Sequence, residues 1–144
     1  MQVKILITIF LIFLSAPCRA ERLYNEAYYQ NAWCSRWNGI AEYKLADKTR
    51  VDCLTKNYAV EFDFAKKWAE AVGQSIHYGQ MTNRKPAIIL IIEKPKDFVY
   101  YNRLKKICEE HGITLWYVKS PLYNDKFNLE YYKILALSQL KDLY

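Results

Sequence analysis

The chain predicts an α/β fold in which a mixed β-sheet is flanked by helices, in the order α-β-β-β-α-β-α-β-α. Three short strand-like runs separated by turn-length gaps predict an antiparallel meander. A seven-residue apolar run without alternation predicts a strand covered on both faces. A strand, helix, strand unit that follows predicts a parallel crossover, which places helices against the sheet.

The elements follow in chain order. Residues 21–37 repeat apolar and aromatic side chains at three to five residues (Leu23, Ala27, Tyr28, Ala32, Trp33) with no Gly or Pro, which predicts an amphipathic helix ending near Asn38-Gly39. Strands are expected over 40–45, 50–54 and 58–64. In the third, alternation places Val60, Phe62 and Phe64 on one face and Ala59, Glu61 and Asp63 on the other. Residues 65–79 have helical spacing, with Ala65, Trp68, Ala69, Val72 and Ile76 on one stripe and Lys67, Glu70, Gln74 and Tyr78 on another. Residues 86–92 form the doubly covered strand, 98–110 a helix, 113–118 a strand, and 129–143 a last amphipathic helix after Pro121.

The totals bound the organisation. A chain of 144 residues, 52% hydrophobic with four Gly and four Pro, has the apolar content of one compact domain, which excludes disordered and fibrous classes. Residues 1–20 carry Lys4, an apolar run from Ile5 to Leu14 and a small-residue end at Ala20, the pattern of a cleaved secretory signal. The run is shorter than the ~20 residues that span a bilayer, so no stable membrane span is expected after cleavage. Residues 21–144 are then a single exported domain, periplasmic or secreted. Losing Lys4 and Arg19 lowers the 21 basic side chains by two against an unchanged 15 acidic ones, a net charge of +4. Such a balance permits a polyanionic partner without demanding one.

Export places Cys34, Cys53 and Cys108 in an oxidising compartment. The expected disulfide is Cys34–Cys53, tying the first helix to the strand that carries Asp52, with Cys108 left as a small buried hydrophobe. There is no Cys-x-x-Cys, and only His77 and His111 are present, so a zinc site has little support.

The chemistry concentrates between Arg50 and Tyr78. Asp52 on the second strand, Glu61 on the third and Gln74-x-x-x-Tyr78 on the following helix resemble the PD-(D/E)XK nuclease superfamily, in its RecB-type branch. The likeness covers roughly residues 22–118. It implies that Asp52 and Glu61, with Asp63 as a further ligand, hold Mg²⁺ or Mn²⁺, hard cations that take carboxylate oxygens. A lysine beside them would assist the attacking water. Asp63 stands where the family keeps that lysine, and Lys67 is the replacement by migration onto the helix. Lys67 lies one heptad before Gln74, within about 20° of it around the helix, whereas Lys66 lies about 80° away. Gln74 and Tyr78, with Lys66 and Glu70 beside them, would face the substrate. The resemblance implies a metal-dependent nuclease acting on DNA, with RNA as the second substrate class. The alternative is the same fold without catalysis, an exported nucleic-acid-binding or interaction protein.

Overall fold

A computed structural model describes residue 22 and residues 24–121. The signal-like segment and the helix expected over 129–143 lie outside the described residues, as does Leu23. The architecture is α/β: five strands in the order β1-β2-β3-β4-β5, flanked by three helices. Strands β1 (Ile40–Lys44), β2 (Arg50–Leu54) and β3 (Tyr58–Phe64) pair antiparallel. Strands β4 (Lys85–Ile92) and β5 (Thr114–Lys119) continue the sheet in parallel, each reached through a helix. The meander and the parallel crossover are as expected.

Helix α1 (Glu26–Arg36) covers one face and helices α2 (Trp68–Thr82) and α3 (Phe98–His111) the other. On the α1 face, Val60, Phe62 and Phe64 of β3 pack with Ala87, Ile89 and Ile91 of β4 beneath Tyr29 and Cys34. On the opposite face, Ile88, Leu90 and Ile92 pack with Ala71, Leu104 and Cys108. Every β4 residue from Ala87 to Ile92 is fully enclosed, because this strand, parallel to both neighbours, is covered by α1 on one face and by the crossover helices α2 and α3 on the other. Burying one such Ile or Leu contributes roughly 1.5–3 kcal/mol, so this strand anchors the fold.

Two helices differ in phase from their apolar spacing. Helix α1 begins at Glu26, where Asn25 caps it by accepting the Tyr28 N–H at 3.1 Å. Its buried residues are Tyr29, Gln30 and Cys34, while Ala27, Tyr28 and Ala32 are exposed. The disulfide at Cys34 and the hydrogen bonds of Gln30 set this phase. In α2 the buried residues are Ala71, Ser75, Tyr78 and Gly79. The expected Trp68, Val72 and Ile76 lie half-buried on its flank, packed against the core shared with α3, and Ala69 is exposed. Residues Ala65–Lys67 form a 3₁₀ turn first, and small side chains let α2 seat closely on the sheet. Tyr78 therefore does not share the solvated stripe of Lys67, Glu70 and Gln74. It packs on Leu45, Val51 and Ala59.

The disulfide is Cys34–Cys53, with a Cα–Cα distance of 5.7 Å, and Cys108 is a buried free thiol. A disulfide fits an oxidising compartment. Gly39, at the entry to β1, lies so close that a Cβ there would meet both sulfur atoms. Gly39→Ala is expected to prevent closure of the bond. Thiol titration of the unfolded variant should read three free thiols where the parent reads one.

Candidate functional site

The site begins with an irregularity between β1 and β2. Their ladder pairs Ala41 with Cys53 and Tyr43 with Val51, but Glu42 and Asp52 between them do not pair. Glu42 adopts a left-handed backbone (φ +54°), which costs a non-glycine residue on the order of 1 kcal/mol. The break turns consecutive buried positions to opposite faces: Val51 packs under α2 with Tyr78, and Cys53 packs under α1.

Gln30 bridges the break. This buried side chain of α1 donates to the Glu42 carboxylate at 2.8 Å and to the Asp52 carbonyl at 2.7 Å. Asp52 is thereby held out of the β2–β3 ladder. That ladder pairs Cys53 with Val60 and Leu54 with Ala59, and beyond it the Phe62 N–H donates to Asp52 Oδ2 at 2.7 Å. A carboxylate occupies the place of a backbone carbonyl.

Strand alternation brings Glu61 into the electrostatic reach of this carboxylate. Two close, buried carboxyl groups favour keeping a proton over holding two charges. Glu61 is 4% exposed, and its Oε2 has no hydrogen-bond partner among the described residues. Desolvation, followed by the charges of Asp52 and Asp63, holds the Glu61 carboxyl well above the ordinary carboxylate range. Asp52 is also raised, by desolvation first, against the hydrogen bond from Phe62. Both shifts favour keeping a proton on the pair.

Asp63 lies two residues further on the same face and is equally enclosed. Its Oδ1 accepts the Phe64 N–H at 2.9 Å, and Lys67 Nζ approaches it at 3.7 Å. Desolvation pushes Asp63 up to about 6, with Lys67 opposing the shift. The lysine singled out by helix geometry is thus brought to an acid, namely Asp63, with Glu70 3.9 Å from the same ammonium. Lys67 and Glu70 are half-exposed or more, so the Lys67–Glu70 pair contributes little by itself. Lys66 is exposed and pairs with no carboxylate among the described residues.

Gln74 and Tyr78 lie one helical turn apart on α2, Gln74 exposed and Tyr78 buried against Val51 and Ala59, the neighbours of Asp52 and of β3. Burial pushes the Tyr78 hydroxyl up to about 12, and the charges of Glu61 and Asp52 add to the shift. His77 points elsewhere: its Nε2 lies 2.7 Å from Asp47 Oδ2 in the β1–β2 turn.

Two residues of α1 belong to this field: Glu26, which the family resemblance offers as an extra acid on the first helix, and Gln30, which motif matching passes over. Glu26, on α1, is half-buried and raised by desolvation and by Asp52, with Lys67 and Arg22 opposing. Gln30 lies four residues later on the same helical face. An acid and an amide at that spacing on the inner face of α1 are the sequence signal.

Among the described residues no three His, Cys, Asp or Glu side chains stand together as a set that could hold a metal ion. Asp52 and Glu61 lie together, whereas Asp63 is engaged with Lys67. The arrangement is a buried carboxyl pair with raised pKa values, an enclosed acid with an ammonium, and a phenol at their border. Comparison with protein-family models, with curated proteins and with solved structures gives no match.

Proposed function

We propose that this protein is an exported, metal-dependent nuclease of the PD-(D/E)XK type, hydrolysing phosphodiester bonds of DNA, with RNA as the second substrate class. The observation that carries the reading is the enclosed Asp52–Glu61 pair with its unpartnered Glu61 Oε2, set beside a lysine-bearing helix. A buried carboxylate oxygen without a hydrogen bond is costly in a protein that needs it only for structure.

The donor set fits a hard divalent cation. Mg²⁺ is commonly held by one or two carboxylates plus waters and substrate phosphate, so a two-acid pair suffices without a third ligand. Asp52 and Glu61 would hold it, with Asp63 at the border. When bound, such a cation lowers the pKa of a coordinated water and offsets charge on a phosphoryl oxygen.

The chain's own residues supply the rest. Asp52 is kept in place by the Phe62 N–H and by Gln30. Glu61 gives up its proton before two carboxylates can face a cation. Asp63 fixes the Lys67 ammonium, which is half-exposed and so free to meet a substrate phosphate. Tyr78 stays protonated and offers a hydroxyl donor at the edge of the pair.

Plasmid digestion by the purified mature chain with Mg²⁺ or Mn²⁺ tests the proposal. Asp52→Ala is expected to reduce cleavage by at least about 100-fold, the scale on which removing a transition-state electrostatic group acts. Activity that ignores EDTA or survives Asp52→Ala sinks it.

One observation favours the binding-only alternative: among the described residues, the only carboxylates paired with Lys67 are Asp63 and Glu70. Tight nucleic-acid binding without cleavage under any divalent metal would select that reading.

A further inference from the structure

The β2–β3 turn and the α2–β4 turn end on the same edge of the sheet, joined by the Lys85 N–H donating to the Asn57 carbonyl at 3.0 Å. Between them lies a groove of about 660 Å³, lined by Lys56, Asn57, Thr82, Asn83, Arg84 and Lys85 beside Tyr58. The lining holds three cations and no acid.

Lys56, Arg84 and Lys85 have no carboxylate within 4 Å among the described residues; Lys66, Arg103 and Lys106 have none either, but Lys56, Arg84 and Lys85 line one groove together. The side-chain amides of Asn57 and Asn83 likewise carry no hydrogen bond among the described residues, leaving their donors available. Three ammonium and guanidinium groups crowded without a counter-charge repel one another, and an anion relieves that repulsion.

The C-terminal end of α2 borders the groove, and a helix C-terminus ordinarily disfavours anions. Here two carbonyls near that end are already engaged. Tyr78 O accepts from Thr82 Oγ1 at 2.6 Å, and Gly79 O accepts from the N–H groups of Asn83 and Arg84.

We propose that this groove grips the backbone phosphates of a polynucleotide strand, as a subsite separate from the carboxyl cluster. Arg84 suits bidentate contact to phosphate oxygens, and Lys56 and Lys85 act as point charges. Tyr58 opens β3 and Glu61 follows three residues on, so the groove lies about 10 Å along the strand from Glu61 and about 17 Å from Asp63, at ~3.3 Å per residue. At about 3.4 Å of axis per phosphate on one strand, roughly three to five phosphates separate the grip from the acids. The inference deepens the nuclease reading and rests on it only for the identity of the polyanion.

The test is fluorescence anisotropy of a labelled single-stranded oligonucleotide with the full mature chain in EDTA, across a salt series. The Lys56→Ala/Arg84→Ala/Lys85→Ala variant is expected to bind at least about tenfold more weakly at low salt. Its log–log salt slope should fall by about 2, at roughly 0.7 for each phosphate no longer neutralised. Arg103→Ala/Lys105→Ala/Lys106→Ala, which removes equal charge from exposed positions of α3, is expected to bind like the parent. Equal binding by the groove variant and the parent overturns the proposal, and so do equal losses in both triple variants. Displacement of the strand by inorganic phosphate at matched phosphate concentration would mark a free-phosphate site and also overturn it. Loss of binding in the groove variant, in a protein that never cleaves, would uphold the groove and sink only the nuclease reading. Unchanged binding in a groove variant that still cleaves would do the reverse.

Discussion

Glu61→Gln is expected to raise the stability of the metal-free protein at pH 8 by about 1–3 kcal/mol, the scale of an unsatisfied buried polar group, while removing metal-dependent cleavage. In the parent, Glu61 is buried against Asp52 and Asp63 with its Oε2 unpartnered. Its folded-state pKa lies above the ordinary value of 4.5, so its favourable contribution is complete below pH 4.5 and is lost as pH rises through the folded value. Asp52, raised by the same burial, and Asp63, pushed up to about 6 from 3.8, act in the same direction at lower pH. The metal-free parent should therefore lose stability from about pH 4 upward. An amide cannot ionise and can donate to the Asp52 carboxylate, so the variant's profile should be flatter. Urea denaturation at several pH values between the acid range and pH 8, with EDTA, measures both. A variant no more stable than the parent at pH 8, or an equally steep profile, would show that Glu61 is not held protonated by its surroundings. A gain in stability paired with a loss of activity is the pattern expected where a fold tolerates strain for a site.

Removing the disulfide has the second large effect. The bond closes a loop of 19 residues between α1 and β2, and Cys34→Ala/Cys53→Ala is expected to lower stability by about 3 kcal/mol. The consequence extends to the acids, because Cys53 is the neighbour of Asp52 and Cys34 fixes the phase of the helix that presents Gln30. The double variant is expected to lose cleavage at temperatures where it is still folded, read by comparing activity with circular dichroism. A stability change under about 0.5 kcal/mol, the range of an ordinary surface substitution, would refute the bracing role. Cys108 should not compensate. It is enclosed on α3, and burial pushes its thiol up to about 11, which leaves it unreactive in the native protein.

Strand patterns were the most legible part of this chain. The seven residues of β3 alternate without exception, and their faces follow from backbone geometry alone. The apolar run of β4 signalled its enclosure just as directly. Helix phase was less legible. In α2 the large apolar residues suggested a stripe through Trp68, Val72 and Ile76, yet the helix lays Ala71, Ser75 and Gly79 against the sheet. Apolar size measures what can be buried. Closeness of approach decides which face is buried, and small residues win that contest.

The site divides the same way. Glu61, Asp63 and Lys67 share a neighbourhood because a strand period of two runs directly into a 3₁₀ turn that returns Lys67 to Asp63, and both are local. Asp52 is different. Its carboxylate reaches Glu61 because the β1–β2 ladder breaks at Glu42, and Gln30, twenty-two positions earlier, holds the break open. No local pattern marks a residue with positive φ inside a strand when that residue is not glycine. The sequence by itself determined the order of elements, the faces of β3 and the pairing of Cys34 with Cys53, since each follows from periodicity, turn length or compartment. Only the tertiary structure decided that Asp52 and Glu61 are buried together with their pKa values raised, that Tyr78 is buried against Val51 and Ala59 and that Lys67 pairs with Asp63. Those outcomes depend on desolvation and on contacts between residues distant in sequence, and neither is encoded in the spacing of side chains along the chain.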